Sequence, residues 1–308
     1  MPQQNMNMDL VDSAVLARLS RLAVQSRMPM AGSVAGLHRS ATRGSSVEFA
    51  EYRKYVPGDD IKNLDWRVYA RTDRFYIKEF EADTNLRCCI ILDTSASMGF
   101  AGEHGSKFDY ARRLAATLAY LLAHQGDAVG LLSFAEKTIN DIPPRNSPAH
   151  LRHIFDTLKT IEPEGGSEIV QTLHEAAERV SQRALVVVIS DLFTDVTELL
   201  DGFQHMRFRK HDLAVFHLLD PQELAFSFDR PIRFVDMESS FSMITDPSII
   251  ETDYRQAIQQ YLDTVTRGCR EFNVDYQRVL IDTDYEKTLA SFLLQRAGKS
   301  AAGGRARS

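Results

Sequence analysis

The chain has 308 residues, of which 44% are hydrophobic and 25% charged, with a formal net charge of -6. That is enough apolar material for a sizeable core, and the charge argues against a general nucleic-acid binder. The three cysteines, two of them adjacent at Cys88 and Cys89, cannot build a disulfide framework and read as reduced core residues of a cytoplasmic protein.

Met1 to Asp12 lacks the charged start and apolar stretch of a signal peptide, and every apolar run falls short of the roughly 20 residues a membrane helix needs. Leu10 to Val24 carries apolar residues at helical spacing and is expected to pack on the main domain. A glycine-punctuated loop follows, and then a basic patch at His38, Arg39 and Arg43. Seven Lys or Arg against two acids between Leu16 and Lys54 read as a solvated face or one paired with the acidic remainder. Pro57-Gly58 sets a tight turn, and the Asp pair after it can cap a short helix. Arg53, Asp59, Asp60, Asp65, Trp66 and Arg71 read as a salt-linked, half-buried network, with a recognition surface as the rival reading. Arg74 to Glu81 is expected to form an extra strand.

After Arg87, the run Cys88 to Leu92 is apolar without alternation, as a strand buried on both faces of a parallel sheet requires, and it stops at Asp93. Such sheets bind ligands beyond the carboxyl ends of their strands. In a loop leaving the strand, Asp93, Ser95 and Ser97 can converge while Thr94 and Ala96 turn away. Carboxylate and hydroxyl without His or Cys suit a hard cation such as Mg2+ or Mn2+. Three oxygens do not close a site, and two later stretches can add to them. Gly165-Gly166-Ser167 presents a hydroxyl at a helix start, and the buried strand Leu185 to Ile189 ends in Ser190-Asp191.

After the first site loop, Ser106 gives a capping-box-like start to a helix with Ala111, Leu114, Leu118 and Leu121 on one face. His104, alone in a glycine loop, reads as solvent-exposed. Ala128 to Phe134 is a strand, Ile139 to Ile142 an edge strand ended by Pro143-Pro144, and His150 to Leu158 a helix. Val196 to Met206 is a helix feeding the strand Leu213 to Leu219. Strands alternating with helices imply right-handed crossovers and a doubly wound sheet. Beyond Asp220 a hairpin insertion is expected around Glu238-Ser239-Ser240, then a long helix from Asp246, a strand over Val274 to Ile281 and a helix from Tyr285 to Leu294. No dinucleotide or Walker phosphate loop is present.

Asp-x-Ser-x-Ser after the first strand, Gly-Gly-Ser before a helix and Ile-Ser-Asp after a central strand together resemble the metal-ion-dependent adhesion site of von Willebrand factor A domains. The resemblance implies that Ser95 and Ser97 ligate the metal directly, that Asp93 and Asp191 act mostly through water, and that Ser167 stands where the family usually has Thr. It also implies one coordination position left for a partner's carboxylate. Arg53-x-Tyr55-x-Pro57-Gly58-Asp59 and Asp65-Trp66 followed by Ala70-Arg71 resemble the signature of the bacterial family called domain of unknown function fifty-eight.

From these resemblances we expect an α/β, von Willebrand factor A-like, doubly wound and mostly parallel sheet with helices on both faces. Residues 1–84 would form an N-terminal helix and signature segment, 85–297 the main domain with an insertion, and 298–308 a disordered tail. Relatives are typically encoded beside MoxR-type AAA+ ATPases, so the resemblance implies such an ATPase as partner and a non-enzymatic adaptor role toward client proteins. The alternatives are a metal-dependent hydrolase or phosphatase using Asp93 or Asp191, and a scaffold whose metal site is vestigial.

Overall fold

The computed structural model describes residues 10–20, 22, 24, 30–31, 40–42, 47–54, 68–69, 71, 75–82, 86–226, 228, 232–238 and 241–305. Asp59, Asp60, Asp65 and Trp66 of the signature lie outside them, as does the side chain of Arg53. Arg71 is exposed.

The chain divides into two units, Gln25–Leu86 and the remainder, Met1–Val24 with Arg87–Ser308. Helix α1 (Ser13–Leu19) starts on an Asp12 cap and belongs to the larger unit. The smaller unit holds a parallel pair, β1 (Met30–Ala31) with β2 (Ser40–Thr42), and an antiparallel pair, β3 (Val47–Lys54) with β4 (Tyr76–Ala82).

The larger unit is built on β5 (Arg87–Asp93). A short ribbon, β6 (Ala101–Gly102) with β7 (Gly105–Ser106), leads into helix α2 (Lys107–His124). Then come β8 (Ala128–Phe134), β9 (Thr138–Arg145), α3 (Pro148–Thr160), α4 (Ile169–Arg179), β10 (Leu185–Ser190), α5 (Val196–Phe208) and β11 (Asp212–Leu219). A five-residue helix α6 (Pro221–Ala225), the hairpin β12 (Ile232–Val235) with β13 (Ser242–Thr245), helix α7 (Pro247–Glu271), strand β14 (Asp275–Leu280) and helix α8 (Tyr285–Arg305) complete it.

One six-stranded sheet runs in the order β14-β11-β10-β5-β8-β9, parallel throughout except for β9. The sequence reverses direction across the sheet between β5 and β10, the switch point at which ligands bind in folds of this kind. β5 and β10 are buried along nearly their whole length, which explains their unbroken apolar runs. On one face Cys89, Ile91, Val186, Val188 and Val215 pack with Leu173 of α4, Phe203 of α5 and Val265 of α7. On the other, α2 crosses the central strands and Phe292 of α8 meets Phe216 edge-on at 5.0 Å. This is the von Willebrand factor A-like, doubly wound arrangement read from the sequence.

Two local differences have physical reasons. β9 runs through Pro143-Pro144 instead of stopping there: the two prolines fall where its pairing with β8 is interrupted, between Ile142 and Arg145, so neither has to supply a ladder N–H. Its pairing with β8 is irregular at Gly130, where a Cβ would lie 2.5 Å from the Ile142 carbonyl oxygen. α8 continues to Arg305, through Gly298, Gly303 and Gly304, where composition placed a tail; each glycine costs about 1 kcal/mol in helix, whereas Lys299, Ala301 and Ala302 between them favour it. At the amino ends of β11 and β14, Arg296 of α8, 0% exposed, is paired with Asp212 and with Asp275, the latter at 2.7 Å. Among the described residues, no helix is long and apolar enough to cross a membrane.

Candidate metal centre

β5 delivers Asp93, 0% exposed, to the carboxyl edge of the sheet. Asp93 Oδ1 accepts the Ser95 backbone N–H at 2.9 Å, which turns the chain sharply back over the strand end. Residues 96–99 then form one turn of 3-10 helix, which brings Ser97 Oγ to 3.1 Å from Ser95 Oγ. Thr94 and Ala96 point elsewhere, Thr94 Oγ1 donating to the Phe134 carbonyl at 2.8 Å.

A second loop is stitched to the first through the backbone. Glu164 N–H donates to the Thr94 carbonyl at 3.0 Å and Ala96 N–H to the Gly165 carbonyl at 2.9 Å. Gly165 takes φ 76°, a conformation an L side chain would strain. The loop thereby places Ser167 so that its hydroxyl donates to Asp93 Oδ2 at 3.1 Å. Ser190, closing β10, donates to the same oxygen at 2.6 Å. Burial pushes the Asp93 carboxyl up to about 6, with Asp191 adding to the rise and the Ser190 and Ser95 hydrogen bonds opposing it.

Asp191 follows β10 and is positioned by a strained turn. Leu192 adopts φ 53°, which costs a non-glycine residue roughly 1–2 kcal/mol. Ser190 Oγ accepts the Leu192 N–H at 2.8 Å, and the Tyr261 hydroxyl of α7 donates to the Leu192 carbonyl. Asp191 Oδ1 accepts the Phe193 N–H at 3.3 Å, whereas Oδ2 accepts from Lys107 Nζ at 2.8 Å. That lysine, 2% exposed at the start of α2, also donates to Glu223 of α6 at 2.6 Å. Burial alone would lower its ammonium, but Asp191 and Glu223 outweigh it and hold the group above its ordinary value.

The structure thus gathers Asp93, Ser95, Ser97 and Ser167 into one hydrogen-bonded group, with Asp191 close enough to raise the Asp93 carboxyl. Among the described residues no group of three or more His, Cys, Asp or Glu side chains stands ready for a metal, so a cation here would rest on hydroxyls, carboxylates and water. The donors are hard oxygens, which suit Mg2+ or Mn2+.

One buried oxygen adds to the fit. The Ser167 N–H donates at 3.2 Å to Oε2 of Glu238, at the tip of the β12–β13 hairpin, while Glu238 Oε1 is buried with no hydrogen-bond partner. Sequence reasoning missed Lys107, Glu223 and Glu238. Lys107 sits inside what reads as an ordinary helix cap, Glu223 in a helix too short to show a period, and Glu238 in what reads as a hairpin turn. The Asp-Pro pair at 220–221 could have signalled the short helix.

Residues 51–265 match the family described as "Protein of unknown function DUF58". An uncharacterised protein of Mycobacterium tuberculosis is 25% identical over 98% of this chain and 96% of its own length. YeaD of Bacillus subtilis, also uncharacterised, is 25% identical over 49% of this chain and 36% of its own. Among solved structures, an aerotolerance-related membrane protein from Bacteroides fragilis shares 20% identity, covering 70% of this chain and all of that one (100%), with a TM-score of 0.46. BatB, a conserved hypothetical protein from Bacteroides thetaiotaomicron, gives 17%, 71%, 100% and 0.47 in the same terms. With the family match spanning well over half of its length, and with the sheet order described above, the chain belongs to the DUF58 family of von Willebrand factor A-like proteins.

Proposed function

We propose that this chain is a non-enzymatic interaction module that binds one Mg2+ or Mn2+ through Ser95, Ser97 and Ser167, with Asp93 and Asp191 holding coordinated water. The bound ion supplies an open Lewis-acid position for a carboxylate of a partner protein. The chain's own residues do the rest. β5 and β10 fix the two aspartates, and the backbone stitching of the two loops fixes the hydroxyls. What supports this reading is the convergence of three serine hydroxyls around one buried aspartate at the switch point. The family resemblance adds a MoxR-type AAA+ ATPase, or a client it acts upon, as the bearer of the carboxylate.

Titration with Mn2+ followed by electron paramagnetic resonance should show one bound ion in the wild type and none in Asp93→Ala. Capture of a MoxR-type ATPase should then need both the ion and Asp93, and be lost with chelator. A wild type that binds no Mn2+ sinks the proposal. Phosphoester turnover with Mg2+ that disappears in Asp93→Asn would replace it with a hydrolase.

A further inference from the structure

The β12–β13 hairpin is anchored by aromatic stacking and closed by its own hydrogen bonds. Near its base, Phe234 stacks on Phe226 at 5.5 Å, and Phe226 stacks on Tyr254 of α7 at 4.3 Å. Toward its tip, Asp236 N–H donates to the Phe241 carbonyl at 3.0 Å and Glu238 N–H to Asp236 Oδ1 at 2.9 Å, a tight turn that aims the Glu238 side chain. The tip straddles both loops of the candidate metal centre. On one side a Cβ at Gly99 would meet the Met237 methyl at 3.8 Å; on the other, a Cβ at Gly166 would meet Glu238 Oε2 at 3.9 Å. Both distances are ordinary van der Waals contact, so the tip lies against both loops.

Glu238 Oε2 accepts the N–H of Ser167, the same residue whose hydroxyl donates to Asp93. Its other oxygen, Oε1, is shielded from water and has no donor. A buried carboxylate oxygen without a donor is costly unless a cation completes it. The hairpin that carries it is otherwise poorly covered: Val235, Met237, Phe241, Met243 and Ile244 are all exposed. Such a surface is unusual on a segment with no contacts to make.

We propose that Glu238 is an internal carboxylate ligand: with a divalent cation bound, it takes the position that a partner's acidic side chain would otherwise fill, and the hairpin is a displaceable cover over the site. This rests on the metal-site reading above and deepens it, because it makes carboxylate binding a competition between Glu238 and the partner. The partner is then an acidic segment that brings apolar residues of its own to the exposed hairpin once Glu238 has been released.

The test uses the full chain with Mn2+ alone, then with acetate as the competing carboxylate. Wild type, Glu238→Gln and Glu238→Ala are compared by Mn2+ affinity and by water-proton relaxation of the bound ion, with Asp93→Ala as the control that abolishes the site. Glu238→Gln keeps an oxygen for the Ser167 N–H and so preserves the docked hairpin without the charge. Loss of the carboxylate is expected to weaken Mn2+ binding roughly tenfold, the lower end of what ligand-shell changes produce. In both Glu238 variants the bound ion should gain exchangeable water, and millimolar acetate should remove that gain while leaving the wild type unchanged. Equal affinity and equal relaxation in wild type and both variants overturns the internal ligand and leaves the metal site standing. Absence of bound Mn2+ in every protein overturns both.

Discussion

Charge is buried at both ends of the central sheet, and the two ends complete it differently. At the amino ends of β11 and β14 the chain supplies its own cation, with Arg296 spanning Asp212 and Asp275. At the carboxyl ends of β5 and β10 it supplies Lys107 to Asp191 and Glu223, but Asp93 receives only hydroxyl and backbone donors, and Glu238 Oε1 receives none. A carboxylate matched by a tethered cation is fixed architecture. One that accepts only from hydroxyls and backbone N–H groups is, on the reading proposed above, where a free ion would change the energy.

Removing the tethered cation should be the most damaging change. Arg296→Met removes the cation shared by two buried carboxylates and is expected to lower stability by about 3–5 kcal/mol. Urea unfolding with and without Mg2+ should show the same loss in both conditions. A metal-dependent loss would mean that the two ends are not independent. Lys107→Met should cost less, roughly 2 kcal/mol, because the Glu223 side chain is 26% exposed and water screens the pair. The same variant should bind Mn2+ more tightly than the wild type, since one positive charge leaves the neighbourhood of Asp191. Weaker binding would show that the ammonium orients Asp191 for the ion.

Metal addition sharpens the contrast further. At a free concentration 100 times the dissociation constant, Mg2+ should stabilise the wild type by about 2.7 kcal/mol. Asp93→Asn should lose that increment while matching or exceeding the metal-free wild type, because a buried charge has been removed. The smallest effect is kinetic. Burial raises the thiols of Cys89 and Cys269 to about 12, so iodoacetamide at pH 8 should label them only through opening of the fold. Mg2+ should slow that labelling in the wild type and leave it unchanged in Asp93→Asn.

Much of the fold was legible because doubly covered parallel strands leave a plain mark. The runs at Cys88–Leu92 and Leu185–Ile189 have no alternation, and both proved central. β3 was not legible, since Glu48, Glu51, Arg53 and Lys54 break its apolar pattern. The five candidate ligands could be picked out because each sits just after a strand or at a helix start. Lys107, Arg296 and Glu238 could not. A buried Lys or Arg in a helix has the same local pattern as a solvated one, and only the distant carboxylates it meets tell them apart. Glu238 lies 71 positions from Ser167 in the chain, so no local motif joins them.

The prolines of β9 have a consequence for the protein at high concentration. An open sheet offers its outermost backbone as a template on which further strands can add, the first step toward fibrils. On the β9 side, Pro143 and Pro144 lie in an irregular stretch and break the regular run of backbone donors. On the other side, β14 carries the exposed, charged Arg278. Neither rim of the sheet invites indefinite growth.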